Sequence, residues 1–81
     1  MLSPTAMTLQ TAFAEVFHIP VDTVVDVLQF DQIPTWDSMA HMLLITRLED
    51  DFGVQFSGDE IADMRSVADA RKALTVRGIA A

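Results

Sequence analysis

The chain has 81 residues, which is room for a single domain over residues 1–81. Because 51% of the residues are hydrophobic, there is enough apolar material for a core, and disorder of the kind caused by low hydrophobicity is not expected. It contains no cysteine, which excludes a disulfide scaffold, a thiolate metal site and a catalytic cysteine. The net charge of −7 argues against nucleic-acid binding, because the phosphates would be repelled. We recognise neither a signal peptide nor an apolar run near the roughly 20 residues that span a membrane, and therefore expect a cytoplasmic protein.

The charge is distributed unevenly along the chain. Residues 1–63 contain eleven carboxylates and one basic residue, Arg47, whereas residues 64–81 carry a net charge of +3. An acidic surface of this kind attracts basic partners and repels acidic ones. Acidity that only keeps a small domain in solution explains the composition equally well.

The first predicted helix runs from Pro4 to Phe17 and ends before Pro20. Ser3 can cap it, and proline suits the first position of a helix. Apolar residues recur within it at helical spacing, at Leu9, Phe13, Val16 and Phe17.

A long first loop follows over residues 18–37, where Pro20 and Pro34 interrupt regular structure. We expect a short helical turn around Asp22 to Val25, and no strand, because a lone strand near Val24 to Leu28 has no partner. The loop is too apolar to be fully solvated, and we expect its apolar side chains to pack across the helices. They are Val21, Val24, Val25, Val27, Leu28, Phe30, Ile33 and Trp36.

Three more helices are predicted, so that the fold class is all-α, a small bundle of three main helices and one short helix. The second helix runs from Ser38 to Phe52, with Asp37 as N-cap and Gly53 as the stop. The short helix near Gly58 to Asp63 follows a serine and a glutamate at capping-box spacing, Ser57 and Glu60. Ser66 caps the last helix, whose apolar residues are Val67, Ala70, Ala73, Leu74 and Val76.

The second helix is apolar on two faces. Its core stripe at helical spacing comprises His41, Leu44, Ile45, Leu48 and Phe52. Met39, Met42 and Leu43 point the other way, beside acidic residues, and a protein this small cannot cover all three. Exposed apolar groups surrounded by carboxylates indicate a docking surface, and flexible methionine suits several partners. The alternative is that the long loop folds over them.

Ser38 is one of four serines at predicted helix starts, so by position it is a cap or first-turn residue like Ser3, Ser57 and Ser66. A hydrolytic serine needs a nearby base, and His41 is better placed to face the core than to reach the Ser38 hydroxyl. A core-facing histidine near the first turn either hydrogen-bonds a loop carbonyl or senses pH, and the structural role is favoured. We expect His18 on the surface or at the helix end; a metal site from His18, Asp22 and Asp26 has only weak spacing.

Two stretches resemble the acyl carrier protein family, and the resemblance covers nearly the whole chain. The first is Trp36-Asp37-Ser38-Met39, in which methionine replaces the usual leucine of an Asp-Ser-Leu signature. The second is the acidic segment Leu48 to Val54, with Phe52-Gly53 at its end and Phe56 shortly after. Asp-Ser alone is a weak signal, but the dipeptide in register with Phe-Gly and a short third helix is strong.

The resemblance implies an acyl carrier protein, which is not itself an enzyme. Ser38 would accept 4′-phosphopantetheine from coenzyme A through a separate magnesium-dependent phosphopantetheinyl transferase, and the terminal thiol of this arm would hold acyl groups as thioesters. It also implies docking to acyl-loading and acyl-transfer enzymes with basic patches. From the sequence itself we expect no metal, no membrane or nucleic-acid partner, and a monomer. The docking residues that the resemblance implies are Asp37, Met39, Met42, Leu43, Glu49, Asp50 and Asp51.

Several residues depart from the housekeeping fatty-acid carriers of that family. Leu43 stands where many of them have a carboxylate, Arg47 adds a positive charge, and Trp36 and the Ala40-His41 pair are also unusual. We therefore expect a carrier dedicated to a specialised biosynthetic pathway. Two alternatives stay open: an aminoacyl or peptidyl carrier of nonribosomal peptide type, and a helical adaptor without a prosthetic group.

Overall fold

The computed structural model describes residues 4–79, with side chains described from residue 8 onward, and shows an all-α bundle. The first helix, α1, spans Pro4–Phe17; a 3₁₀ turn follows at Val21–Thr23. The remaining helices are α2, Ser38–Phe52, the short α3, Gly58–Asp63, and α4, Val67–Thr75. The predicted helix bounds are confirmed; the predicted cap at Ser3 lies outside the described residues.

Local capping explains where the helices begin and end. Asp37 caps α2 by accepting the Ala40 N–H at 2.9 Å, and Gly53 ends the helix at φ 64°, a left-handed conformation that glycine adopts without steric cost. Ser57 and Glu60 form a capping box at α3, as their spacing predicts. Short-range side-chain chemistry therefore sets the boundaries of these helices.

The core is built around Trp36, which is fully buried although it belongs to the long loop. Its ring stacks on Phe17 at 4.8 Å between centroids and meets Phe13 edge-on at 5.5 Å. From α2 the core receives Leu44, Ile45 and Leu48, whereas His41 and Phe52, predicted in the same stripe, are half-buried. The loop tryptophan thus joins α1 to the inner face of α2.

The expectation that the whole apolar set of the loop packs inward is wrong in part. Val24 and Trp36 are buried, and Leu28, Phe30 and Ile33 pack against the core. Three valines are exposed instead, because a loop running over the surface turns one side to the helices and the other to solvent. They are Val21, Val25 and Val27. The last predicted apolar residue of α4, Val76, is the C-cap of that helix and is exposed as well.

The long loop is held to the junction between α3 and α4 by backbone hydrogen bonds. Phe30 N donates to Arg65 O at 2.7 Å, and Val67 N donates to Leu28 O at 3.0 Å. A single isolated β-bridge pairs Gln29 with Ser66, and no strand is present among residues 4–79. These bonds fix the backbone of Arg65 next to the loop, close to the start of α2.

No helix of the described segment is both long and apolar enough to cross a membrane.

Candidate functional site

Ser38 is the first residue of α2, one position beyond the Asp37 cap, and its side chain is exposed. The Asp37 carboxylate takes the capping role, so the Ser38 hydroxyl is not needed for it. Among residues 8–79, no side-chain hydrogen bond to the Ser38 hydroxyl is present. The hydroxyl therefore lies at the amino-terminal end of a 15-residue helix, where the helix dipole is positive, and it has no hydrogen-bond partner among the described residues.

The other described serines differ from Ser38 in this respect. Ser57 accepts the Glu60 N–H at 3.1 Å, and Ser66 accepts the Asp69 N–H at 3.0 Å. Both hydroxyls are thus helix caps, and Ser3 lies outside the described residues. By sequence position the four serines were equivalent; the hydrogen bonds separate Ser38 from the two caps.

His41, one turn along α2, has both ring nitrogens engaged. The Trp36 Nε1–H donates to its Nδ1 at 3.1 Å, and its Nε2 lies 2.9 Å from the Ile61 carbonyl oxygen. Because an indole N–H can only donate, Nδ1 accepts and the proton of the neutral ring is on Nε2. His41 therefore connects the loop and α3 to α2, as a structural histidine does, although the carbonyl it contacts belongs to α3 and not to the loop as expected. Neither nitrogen is free to act as a base for Ser38.

The outward face of α2 is apolar, as predicted. Met39, Met42 and Leu43 are 78%, 51% and 59% exposed, so the loop does not cover them. Asp37 and Asp50 are also exposed on this helix or at its start. Within the described segment this is a contiguous apolar surface beginning next to Ser38.

Besides Asp37, which caps α2, two more of the carboxylates predicted to dock partners have intramolecular contacts. Glu49 accepts the Phe56 N–H at 2.9 Å, which stabilises the turn after α2. Asp51 accepts from Arg47 Nε at 2.7 Å, and the same guanidinium reaches Glu15 on α1 at 2.7 Å. The positive charge of Arg47, read from the sequence as diluting the acidic helix, is thus compensated by two carboxylates, which hold its pKa above the ordinary value.

A groove of about 370 Å³ opens beside Ser38, between the start of α2 and α3. Its lining is mostly apolar, with Arg65 as its charged side chain. The lining residues are Phe30, Ser38, His41, Met42, Gly58, Ile61, Ala62, Met64 and Arg65. The sequence did not point to this groove or to Arg65, because their proximity to Ser38 depends on how α3 packs against α2.

No group of three histidine, aspartate or glutamate side chains in the described part of the chain is arranged to hold a metal ion. His18 is exposed and ends α1 with φ 56°, so the surface position predicted for it is confirmed. His18, Asp22 and Asp26 consequently form no metal site. Asp26 instead pairs with Arg71 of α4 at 2.9 Å.

Comparison with known families gives one match that covers most of the chain. A family model described as a phosphopantetheine attachment site matches residues 7–74. No curated protein matches the chain closely enough to add a relative. The matched segment contains α2, the groove and the exposed serine hydroxyl.

Proposed function

Because the chain belongs to the phosphopantetheine attachment site family, we propose that Ser38 is the residue to which the prosthetic group is attached. Members of this family carry 4′-phosphopantetheine covalently, so the protein is a phosphopantetheine-carrying carrier protein. The chain itself is proposed to be a carrier and not an enzyme: it presents a bound intermediate to enzymes that perform the chemistry.

The observation that carries the assignment of Ser38 is its exposed hydroxyl, which makes no hydrogen bond within residues 8–79 while Ser57 and Ser66 act as caps. A transferase must reach the acceptor oxygen, and a capping hydroxyl would have to give up its bond first. The amino-terminal end of α2 also favours the negative charge that a phosphodiester adds. The residues present therefore fit the group.

In the attachment reaction, the Ser38 Oγ would bond to the phosphorus of coenzyme A that bears pantetheine. The bond from that phosphorus to the bridging oxygen would break, 3′,5′-ADP would leave, and the hydroxyl proton would pass to a base of the transferase. The chain's own contribution is to hold Oγ on a helix start, where Asp37 already caps the backbone. When attached, the arm supplies a thiol that holds cargo as a thioester.

The exposed face of α2 supports the docking part of the proposal. Met39, Met42 and Leu43 supply apolar area, and Asp50 supplies charge complementary to basic patches on the transferase and on acyl-handling enzymes. Asp37 adds charge next to Ser38, although one of its carboxylate oxygens caps α2. Glu49 and Asp51 stay part of the proposed surface, but their intramolecular bonds leave less of each carboxylate for a partner. We therefore propose that apolar contact dominates docking on this helix.

We propose an acyl cargo within a specialised biosynthetic pathway. The support for the specialised pathway is the apolar character of α2, where Leu43 is exposed next to the two methionines and Arg47 is neutralised by Glu15 and Asp51. A partner for this helix has to complement apolar side chains more than a row of carboxylates. An aminoacyl cargo is the alternative, distinguished by the mass of the thioester recovered from cells.

Intact-mass measurement tests the proposed function. Wild type, Ser38→Ala, Ser57→Ala and Ser66→Ala are each incubated with coenzyme A, magnesium and a broad-specificity transferase. We expect one phosphopantetheine to be added to wild type and to both cap variants, and none to Ser38→Ala. Modification of Ser38→Ala, or none of wild type while a control carrier is modified, would overturn the assignment. The second result would favour a helical adaptor that uses the α2 face alone.

A further inference from the structure

The groove beside Ser38 contains an arginine, Arg65, whose guanidinium has no carboxylate partner among the described residues. The other three arginines all form ion pairs. Arg47 pairs with Glu15 and Asp51. Arg71 pairs with Asp26, and Arg77 pairs with Glu60. Arg65 forms none within residues 8–79. Its guanidinium instead lies over the Phe30 ring, 4.7 Å from the centroid.

The backbone of Arg65 is held on both sides. Its N–H donates to the Asp69 carboxylate at 3.1 Å, and its carbonyl accepts the Phe30 N–H at 2.7 Å. The stem of the side chain therefore starts from a fixed point, and Phe30 supports the guanidinium from one side. The side chain is exposed, and it lines the same groove as Ser38.

A guanidinium without a carboxylate partner is conspicuous in a chain with a net charge of −7, because acidic side chains are abundant. A guanidinium binds phosphate oxygens with two parallel N–H bonds, and it does so best where water is partly excluded. The first group of the proposed attachment at Ser38 is a phosphodiester. After one methylene, the arm continues with a carbon bearing two methyl groups, for which Met42 and Ile61 offer apolar surface in the groove.

We propose that Arg65 binds the phosphodiester on Ser38 and draws the first part of the arm into this groove. The inference rests on the proposed attachment at Ser38. It gives the carrier two states, one with the arm held against α3 and one with the arm extended to a partner enzyme. Because the guanidinium is exposed, the ion pair is modest in strength and the arm leaves the groove readily.

The test is an NMR comparison of apo and holo protein, with the intact mass of every sample confirming that the arm is attached. Arg65→Gln removes the charge and keeps much of the stem, and Arg65→Lys keeps the charge. Arg71→Gln is the matched control, because it makes the same change in net charge at an arginine outside the groove. Circular dichroism checks that each variant is folded.

In wild type we expect attachment to shift the backbone amides of Phe30, Met42 and Ile61 and to broaden the phosphorus resonance relative to that in urea. In Arg65→Gln the ratio of docked to extended arm should fall roughly two- to fivefold, as for the loss of an exposed ion pair. The groove shifts should shrink accordingly. Arg65→Lys should retain part of them, and Arg71→Gln all of them; added salt should weaken them in wild type.

The possible failures separate the two proposals. A wild-type sample without added mass contradicts attachment and leaves no arm for Arg65 to bind. A sample with added mass but no groove shifts, or shifts unchanged in Arg65→Gln, overturns the role of Arg65 alone. Equal losses in Arg65→Gln and Arg71→Gln would show an effect of net charge, and would overturn it too.

Discussion

The hydrogen bond from Trp36 to His41 allows a quantitative test of how the loop is held against α2. Trp36 is fully buried, and its indole N–H has the His41 Nδ1 as acceptor at 3.1 Å. His41→Phe keeps an aromatic ring next to the indole but removes this acceptor and the contact to the Ile61 carbonyl. Burial denies the indole N–H a water molecule, so the variant leaves a buried donor unsatisfied.

Such a donor costs about 1–3 kcal/mol in the free energy of unfolding. The whole chain of 81 residues is expected to have about 4–12 kcal/mol. The substitution therefore removes a substantial part of the stability. The aromatic stacking on Trp36 is largely kept, because phenylalanine replaces a ring whose centroid lies 6.2 Å from that of the indole in the wild type. Urea unfolding followed by the fluorescence of Trp36, the only tryptophan, measures the change.

The matched control is His18→Asn at the exposed end of α1, where asparagine tolerates the positive φ of 56°. It should change the free energy of unfolding by less than about 0.5 kcal/mol. If His41→Phe costs no more than this control and leaves the emission of Trp36 unchanged, the hydrogen bond does not hold the loop and the reasoning is refuted.

Three further predictions concern the serines at helix starts, the exposed face of α2, and the ion pair between Glu60 and Arg77. Ser38→Ala should change the free energy of unfolding by less than about 0.5 kcal/mol in urea, whereas Ser66→Ala, which removes a cap, should cost about 1 kcal/mol. Met42→Glu should lower partner turnover in a loading assay while the helical circular dichroism signal is kept. Hydrogen bonds from Arg77 and Ser57 lower the pKa of Glu60 from 4.5 to about 2. The ionised carboxylate therefore stabilises the fold fully above pH 4.5, and this stabilisation is lost as the pH falls towards 2. In urea titrations at several pH values, Arg77→Gln should show a weaker dependence of the free energy of unfolding on pH.

Each of these has a result that contradicts it. Equal costs for the two serine variants would mean that the Ser38 hydroxyl has a structural partner. Unfolding of the Met42 variant would make that side chain part of the core, and a Val27→Glu control with the same loss of turnover would remove the specificity for α2. An Arg77 variant with the wild-type pH dependence would show that the carboxylate of Glu60 is not stabilised by that guanidinium.

The helix boundaries could be predicted because the signals for them are local. Asp37 and Gly53 bracket α2, the capping box opens α3 and Ser66 opens α4, and each device works within a few residues of itself. The exposure of the α2 methionines could be predicted for a similar reason, since a helical period divides the residues of one segment between two faces.

Contacts between distant segments could not be predicted in this way. The partner of Glu49 is a backbone N–H beyond the turn, and Arg47 reaches across to Glu15 of α1. The direction of each loop valine depends on which side of the loop meets the helices. Arg65 is brought to the groove by its bond to Phe30 and by the packing of α3, neither of which leaves a pattern in the sequence.

The central claim is that Ser38 is the attachment point, and fragmentation of a proteolytic peptide from the modified protein tests it most directly. Protein treated with coenzyme A and the transferase is digested at acidic residues, and the added mass is located by tandem mass spectrometry. We expect the whole increment on Ser38. An increment on Ser3, Ser57, Ser66 or any threonine, with Ser38 unmodified, would contradict the claim.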